Sequence, residues 1–332
     1  MPISFSEMAK VIKTELTIDV VLIQISEPDA HGFCSLGTSV ENIKAAIETS
    51  RVVIAQVNKH MPRTFGDGII HISKITHLVE HHQLLDVLDN GNITTEEARI
   101  GSYIAELIED KSCLQLGIGS IPNAVLNNLK NHKGLGIHTE LFSDGIVPLV
   151  KSGVITGEYK KLLKGKIVST LVHGSQLLYD FIDDNPAIEM RDASFTNDPI
   201  KISQNNRMVS INSAIEVDVT GQVSADSIGT KIFSGVGGQV DFIYGSSLSK
   251  GGKSIIALTS TTVKGANKIV PFLKHGAGVV TTRAHVNYVV TEYGVANLFG
   301  KNIKQRVKAM VEIAHPNFRE QIEREYYEAL SN

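Results

Sequence analysis

The sequence predicts an α/β protein whose sheets are mostly parallel and covered by helices. Apolar runs of strand length alternate along the chain with segments of helical periodicity, which is typical of parallel sheets with helical crossovers. In the first half, a strand at 19–26 is followed by a turn-rich segment, a helix at 40–50 and a strand at 51–58. Apolar residues make up 42% and charged residues 20% of the 332 residues, which is an ordinary globular composition.

The second half continues this alternation with shorter elements. The pattern predicts strands at 112–117 and 134–140, separated by a helix that has Pro122 in its first turn. Further strands are predicted at 166–172, 208–225, 254–260 and 286–294, and a helical tail at 302–329.

A polar stretch at 88–95 divides the chain into two predicted domains. It contains the turn-forming pair Asn90-Gly91, and Thr94 with Glu97 fits a capping box at the start of the following helix. We therefore place a domain boundary in this stretch. The predicted domains are residues 1–93 and residues 94–332.

Charge and cysteine content exclude several classes of function. The formal net charge is −3, so the composition does not indicate binding to nucleic acid or to a membrane surface. No run approaches the length of a membrane span, and the first residues lack the features of a signal peptide. Cys34 and Cys113 are too few for a disulfide framework and are interpreted as reduced, packed thiols. We predict a cytoplasmic protein.

A glycine turn follows the predicted strand at 112–117. Gly117 and Gly119 leave the backbone open to a ligand, and Ser120 is placed to cap the next helix. A helix N-terminus offers unpaired N–H groups to a phosphate or an oxyanion, although many α/β proteins keep such a turn for packing alone. The turn is neither a dinucleotide fingerprint nor a phosphate loop, because Pro122 occupies the third glycine position and no Gly-Lys-Ser/Thr follows.

Glu140 ends the strand that follows this turn and is the candidate nucleophile. Ligands bind at the carboxyl ends of parallel strands, so Glu140 and the turn at 117–120 are expected to share one sheet edge. A carboxylate can attack a thioester while backbone amides hold the resulting oxyanion. The alternative is a solvated glutamate at a strand end. His138, two residues away, is predicted to lie on the same side and to orient Glu140, or else simply to pack.

Three further features have weaker signals. The glycine-rich segment 234–239 precedes a helical pattern and indicates backbone exposed to a ligand, or else a tight turn. Lys264 follows a predicted strand and could meet a phosphate as a point charge. Four histidines suggest a metal site, but no cysteine or aspartate cluster completes one, and we predict no metal. The four histidines are His71, His77, His81 and His82.

Taken together, these residues resemble the class I CoA-transferases of the acetyl-CoA hydrolase/transferase family, and most of all its 4-hydroxybutyrate CoA-transferase branch. Matching stretches cover nearly the whole chain. They include LIEDKSCLQLGIGSIPNAVL, GIHTELFSDG, FSGVGGQVDFIYGSSLSKGGKSIIAL and YVVTEYGVANLFGK. The resemblance implies two similar, open, mostly parallel-sheet domains of the CoA-transferase (NagB-like) type, with the active site between them.

The resemblance also implies a role for individual residues. Glu140 matches the glutamate that forms a glutamyl-CoA thioester, and the N–H groups of Ile118 and Gly238 match the oxyanion-hole donors. Asn197 matches a polar residue near the reacting carboxylates, and His138 is grouped with it as substrate-binding. The residues implied to bind CoA are Gly117, Ile118, Gly119, Ser120, Ile121, Gly237, Gly238 and Lys264.

The implied reaction moves CoA between an acyl-CoA and a small carboxylate, with CoA as a substrate and the protein a homo-oligomer. One departure is expected: the family's additional N-terminal αβ units are missing, so the first domain is truncated. Two alternatives stay open, an acyl-CoA hydrolase that uses the same glutamate and an inactive CoA-binding subunit. An NAD-dependent oxidoreductase fits poorly, since the glycine pattern fails.

Overall fold

The architecture comes from a computed structural model that describes residues 1–88 and 91–331. It confirms the α/β prediction, because helices flank sheets in which most neighbouring strands are parallel. Asn90 of the predicted Asn90-Gly91 turn lies outside the described residues. In the part of the chain that is described, no helix is long and apolar enough to cross a membrane.

The described residues form eleven α-helices and three short 3₁₀ segments. The α-helices are α1 (Met8–Thr14), α2 (Ile43–Thr49), α3 (Thr95–Leu107), α4 (Ser120–Asn127), α5 (Ile146–Lys151), α6 (Gln176–Ile182), α7 (Ala193–Thr196), α8 (Pro199–Ser203), α9 (Gln239–Leu248), α10 (Ile303–Ile313) and α11 (Arg319–Ser331). The 3₁₀ segments are Phe5–Glu7, Ile72–Lys74 and Pro316–Phe318.

The strands are mostly short and alternate with these helices. They are β1 (Val20–Ile25), β2 (Phe33–Ser35), β3 (Val52–Val57), β4 (Phe65–Gly66), β5 (Ile69–His71), β6 (His77–Glu80), β7 (Cys113–Leu116), β8 (Gly136–Ile137), β9 (Leu141–Phe142), β10 (Ile167–Ser169), β11 (Leu171–Val172), β12 (Ile188–Met190), β13 (Met208–Ser213), β14 (Glu216–Asp218), β15 (Val223–Ser224), β16 (Ser227–Ile228), β17 (Lys231–Ile232), β18 (Lys253–Ala257), β19 (Ile269–Val270), β20 (Tyr288–Thr291) and β21 (Gly294–Asn297).

A six-stranded sheet organises the second half of the chain. Its order is β21-β20-β18-β13-β7-β8, and every neighbouring pair is parallel except β20 with β21. Strand β7 and the first four residues of β13 are buried throughout, as expected for strands covered on both faces. The parallel arrangement brings the carboxyl ends of β7, β13 and β18 to one edge.

The structure also contains two smaller parallel sheets. The order of one is β1-β3-β6, and that of the other is β10-β12-β4. An isolated parallel bridge between His138 and Val168 continues β8 towards β10, so the strand that leads to Glu140 lies between the six-stranded sheet and the β10-β12-β4 sheet. Strand β4 pairs with β12, and one buried apolar cluster includes both Ile25 and Ile255. Pairing and packing thus cross the stretch at 88–95, and the boundary there stays a prediction.

The capping box at α3 is present as predicted. Glu97 N donates to Thr94 Oγ1 at 3.3 Å, and Thr94 N donates to Glu97 Oε2 at 2.8 Å. The prediction that Ser120 caps α4 is wrong. Gly119 occupies the N-cap position, and the Ser120 hydroxyl donates to Glu97 Oε1, because α3 packs directly on α4. A Cβ at Gly101 would lie 2.6 Å from the Ala124 backbone, so this close packing requires glycine.

Candidate active site

Glu140 lies beside the first glycine turn at the carboxyl edge of the six-stranded sheet. Strand β7 pairs with β8 so that Leu114 lies opposite Ile137, and continuing this register places Gly117 opposite Glu140. The Thr139 hydroxyl lies 2.8 Å from Leu116 O, which connects the two strand ends next to these residues. The expected shared edge is therefore observed.

The backbone at Glu140 is held by three donors. Its carbonyl oxygen accepts hydrogen bonds from Thr170 N at 3.0 Å, Leu171 N at 2.9 Å and the Ser169 hydroxyl at 2.9 Å. These contacts come from the segment that joins β10 to β11. They fix the point from which the Glu140 side chain projects, as a reacting group requires.

The Glu140 carboxylate is half-buried and has one close side-chain donor. Asn197, which lies between α7 and α8 and is fully buried, donates from Nδ2 to Glu140 Oε2 at 2.6 Å. Burial raises the pKa of Glu140, the Asn197 hydrogen bond opposes this, and the nearby carboxylates of Asp241 and Glu41 raise it further. The carboxylate is thus held in place but is more basic than an exposed glutamate.

Gly238 packs directly against this carboxylate. A Cβ at this position would overlap Glu140 Oε2 and Asn197 Nδ2 at well under 3.0 Å and would lie 3.1 Å from Glu140 Cδ. Its φ of −96° suits any residue, so lack of space explains the glycine. Gly237 differs, because its φ of +66° favours glycine on conformational grounds. Gly238 is also the N-cap of α9, whose positive dipole end therefore faces Glu140.

A cleft opens next to the first glycine turn. It has a volume of about 250 Å³, and its lining includes every residue of the predicted turn from Gly117 to Ile121. The other lining residues are Pro122, Ile211, Asn212, Ser213 and Ala257, so the cleft runs across the carboxyl ends of β7, β13 and β18. No described atom lies within 4 Å of a Cβ built at Gly117 or Gly119, which leaves this backbone open to a ligand.

The second glycine loop contacts the lining of this cleft. Gln239, directly after Gly238, donates from Nε2 to Ser213 O at 2.6 Å, and its Oε1 accepts from the Thr281 hydroxyl at 3.1 Å. Gly237 and Gly238 are outside the set of residues that line the cleft, but Gly238 packs against Glu140, and the next residue, Gln239, contacts Ser213 in the lining. The carboxylate therefore lies between two glycine loops.

His138 is fully buried and has no surface available to a substrate. Its Nε2 donates to Thr196 O at 2.8 Å, and burial, with a smaller effect of Lys160, lowers its pKa to about 3. The ring is therefore neutral, and the prediction that His138 binds substrate has no support in this geometry. His138 thus holds the carbonyl of the residue before Asn197, and a role in orienting Glu140 stays a prediction.

Lys264 is exposed after β18 and is not among the residues that line the cleft. Among residues 1–88 and 91–331 it forms no ion pair. Its predicted contact with CoA stays a prediction.

Two residues near the N-terminus, Phe5 and Ser6, contact the second glycine loop and the helix that follows it, and sequence reasoning missed both. Ser6 donates to both oxygens of the Asp241 carboxylate, from its backbone N at 3.1 Å and from its hydroxyl at 2.8 Å. Phe5 N donates to Gly237 O at 3.1 Å. Burial raises the pKa of Asp241 to about 6, although hydrogen bonds from Ser6 and Asn197 lower it. The segment before α1 is thus hydrogen-bonded to the second glycine loop and to the start of α9.

Other nucleophiles are less suitable than Glu140. Cys34 and Cys113 are both buried, and burial raises the pKa of each thiol to about 11. A thiol with such a pKa is a poor source of thiolate near neutral pH. Within the described ranges, no group of three or more His, Cys, Asp or Glu side chains could hold a metal ion.

The sequence matches both domain models of one enzyme family. The acetyl-CoA hydrolase/transferase N-terminal domain matches residues 1–88, and the C-terminal domain of the same family matches residues 174–326. The chain therefore belongs to the acetyl-CoA hydrolase/transferase family, and it is an enzyme of the CoA-transferase class.

Curated relatives are similar over almost the whole chain. The chain is 52% identical to the 4-hydroxybutyrate coenzyme A transferase of Clostridium kluyveri, over 98% of this chain and 76% of the relative. It is 51% identical to the succinyl-CoA:acetate/propanoyl-CoA:succinate CoA transferase of Fasciola hepatica, over 99% of this chain and 70% of the relative.

Solved structures share the same fold. RipA from Yersinia pestis superposes with a TM-score of 0.95 at 36% identity, over 99% of this chain and 75% of that one. The 4-hydroxybutyrate CoA-transferase from Porphyromonas gingivalis superposes with a TM-score of 0.88 at 44% identity, over 98% of this chain and 79% of that one.

Proposed function

We propose that the protein transfers CoA from an acyl-CoA such as acetyl-CoA to a small carboxylate through a covalent intermediate on Glu140. The observation that carries this proposal is the placement of Glu140. Its carboxylate is held by Asn197 against Gly238, between two glycine loops, with a raised pKa. A fixed, basic carboxylate next to open backbone suits nucleophilic attack on a thioester.

The reaction proceeds by exchange of acyl and thiol groups on Glu140. A carboxylate oxygen attacks the thioester carbonyl, the carbon–sulfur bond breaks, and CoA leaves as a thiolate. The thiolate then attacks the glutamyl carbonyl of the resulting anhydride, which releases the first acid as a carboxylate and leaves a glutamyl-CoA thioester. A second carboxylate attacks this thioester, and the same steps in reverse release the new acyl-CoA and free Glu140.

Backbone amides next to Glu140 supply the electrostatic stabilisation in this proposal. Each addition step places negative charge on a carbonyl oxygen, and the N–H groups of Ile118 and Gly238 are the proposed donors to it. Gly238 already contacts the Glu140 carboxylate, and the first turn of α4 begins just after Ile118. Loss of one such donor typically lowers turnover by about 100- to 1,000-fold.

The relatives support small carboxylates as the acceptor. Their names include butyryl-CoA:acetate CoA-transferase, from Anaerostipes caccae at 38% identity, besides the 4-hydroxybutyrate enzyme. We propose 4-hydroxybutyrate or butyrate as acceptors. In this proposal CoA binds along residues 117–121 and Gly237, and Lys264 contacts one of its phosphates. We also propose that the protein is a cytoplasmic homo-oligomer and that its two domains meet near residue 93.

A hydrolase is the second candidate. A relative named acetyl-CoA hydrolase, from Candida albicans, is 29% identical over 65% of this chain. Hydrolysis would use the same glutamate and admit water to the glutamyl intermediate, whereas transfer requires that water be excluded.

Product analysis separates these functions. The protein is mixed with acetyl-CoA and butyrate or 4-hydroxybutyrate, and thioesters and free CoA are separated by chromatography. Transfer gives the new acyl-CoA with little free CoA, whereas hydrolysis gives free CoA whether or not the acceptor is present. Glu140→Gln is expected to abolish the new thioester, and Glu41→Gln, which changes a neighbouring carboxylate, is expected to retain it. Transfer that persists in Glu140→Gln would contradict the proposal.

A further inference from the structure

A second cavity lies at the opposite edge of the six-stranded sheet. It has a volume of about 590 Å³, within the usual range of small-molecule sites. Its lining includes Lys111, Arg207 and Lys250, which come shortly before β7, β13 and β18, together with Lys161, Tyr159 and Asn206. The same three strands thus carry the candidate active site at their carboxyl ends and this basic cavity at their amino ends.

The basic cavity concentrates positive charge in a protein whose net charge is −3. All four of its cationic residues are exposed. In the described part of the chain, Lys111, Lys161 and Lys250 form no ion pair, and Arg207 pairs with Glu109 at 3.4 Å. Glu109 also binds Lys253 at 2.8 Å, so this acid is shared between two cations. Four like charges around one cavity repel each other, and an anion bound between them would offset this repulsion.

The backbone that carries these cations has an unusual conformation at two positions. Lys111 and Arg207 have φ values of +67° and +50°, a left-handed conformation that is rare for residues other than glycine. The backbone N–H of Lys161 is bound at 3.2 Å by Oδ1 of the fully buried Asn205. Strained residues concentrate at functional sites, and here two of them present cations to one cavity.

The neighbouring aromatic ring favours phosphate groups over a base as the ligand. Lys111 Nζ lies over the Tyr159 ring at 4.7 Å from its centroid, so this cation covers one face of the ring. A Cβ at Gly134 would lie 2.6 Å from the same ring, which is thus also packed against backbone. The ring positions a lysine and does not offer an open stacking surface on that face.

We propose that the basic cavity is a binding site for a small anion with several phosphate charges. Lysine and arginine side chains that line one cavity are suited to phosphate oxygens, and of these four only Arg207 has an acidic partner among the described residues. Inorganic pyrophosphate or triphosphate and the phosphate end of a nucleotide share this chemistry. The proposal does not depend on the role of Glu140.

Titration calorimetry with the full chain tests the proposal. Pyrophosphate, triphosphate, ATP and AMP are each titrated at low ionic strength and again at about 0.15 M salt, where an electrostatic site binds more weakly. Saturable binding to one site is expected for pyrophosphate or triphosphate. Equal binding of ATP and triphosphate would show that the phosphates suffice, and tighter binding of ATP or AMP would overturn the assignment to phosphate chemistry alone.

A double variant separates the site from general charge effects. Lys161→Ala with Lys250→Ala is expected to weaken binding about 100-fold, since each charged contact accounts for roughly tenfold. Lys10→Ala with Lys308→Ala removes the same charge from exposed positions elsewhere and is expected to bind as the parent does. Thermal unfolding verifies that both variants fold. Absence of saturable binding, or equal losses in the two double variants, would overturn the proposal.

Discussion

Replacing Gly238 by alanine tests how closely the second glycine loop approaches the candidate nucleophile. The added methyl group would overlap Glu140 Oε2 and Asn197 Nδ2 at less than 3.0 Å, a separation that real Cβ atoms essentially never show. Loop and carboxylate must therefore move apart by about 1 Å or more. A shift of that size typically lowers turnover by about 100-fold, and overpacking costs about 1–3 kcal/mol of stability.

Gly235→Ala is the matched control for this variant. Gly235 belongs to the same loop, is exposed, and has no described atom within 4 Å of a built Cβ. We expect its free energy of unfolding to stay within about 0.5 kcal/mol of the parent, with turnover retained. Steady-state CoA transfer and denaturant unfolding give both quantities. The reasoning is refuted if Gly238→Ala keeps parental turnover, or if Gly235→Ala loses as much.

Three further predictions concern the groups around Glu140. Asn197→Ala removes a donor that lowers the pKa of Glu140, so the acid limb of the kcat/KM–pH profile should move up by about one pH unit or more; an unchanged limb would argue against this contact. Ser6→Ala removes the hydroxyl that donates to Asp241, next to the second glycine loop, and should lower kcat about tenfold with little change in KM for acetyl-CoA. A change in KM alone would contradict a positioning role. Burial raises the pKa of Asp241 from 3.8, its value in the unfolded chain, to about 6 in the folded protein. The protonated carboxyl therefore contributes on the order of 3 kcal/mol of stability below the unfolded pKa, and this contribution is lost as the pH rises through about 6. Asp241→Asn should therefore flatten stability against pH between about 4 and 7 in denaturant titrations, and an unaltered slope would exclude Asp241 as its source.

Local features of the site were predictable from the sequence. The alternation of apolar strands and helical segments predicted the parallel sheet, and in parallel sheets the strand ends that carry Gly117 and Glu140 lie at one edge. The capping box of Thr94 and Glu97 was predictable as well, since its two hydrogen bonds depend only on residues three apart.

Contacts between distant segments were not predictable from local patterns. Ser6 and Asp241 are separated by 235 residues, and Asp241 in the first turn of α9 resembles an ordinary acid that favours a helix dipole. Asn197 was assigned to the site through a family resemblance, because no local pattern connects it to Glu140, 57 residues away.

Tertiary packing decided the surroundings of two residues that local patterns could not fix. Ser120 is a favourable capping residue, but its hydroxyl binds Glu97 on the helix that packs against it. His138 shares a strand with Glu140, yet that side of the strand is covered by α7 and by Phe242, whose ring centroid lies 6.3 Å from that of His138. A period-two pattern shows which residues share a side, but not whether that side is buried.

The most direct test of the central claim is the mass of the peptide that contains Glu140. After incubation of the protein with acetyl-CoA and proteolysis, we predict that this peptide gains the mass of CoA less one water, as a glutamyl-CoA thioester requires. The gain should be absent in Glu140→Ala, a variant expected still to bind CoA in the cleft lined by Gly117 to Ile121. A folded protein that forms no adduct, or an adduct that persists in Glu140→Ala, would contradict the assignment of Glu140 as the nucleophile.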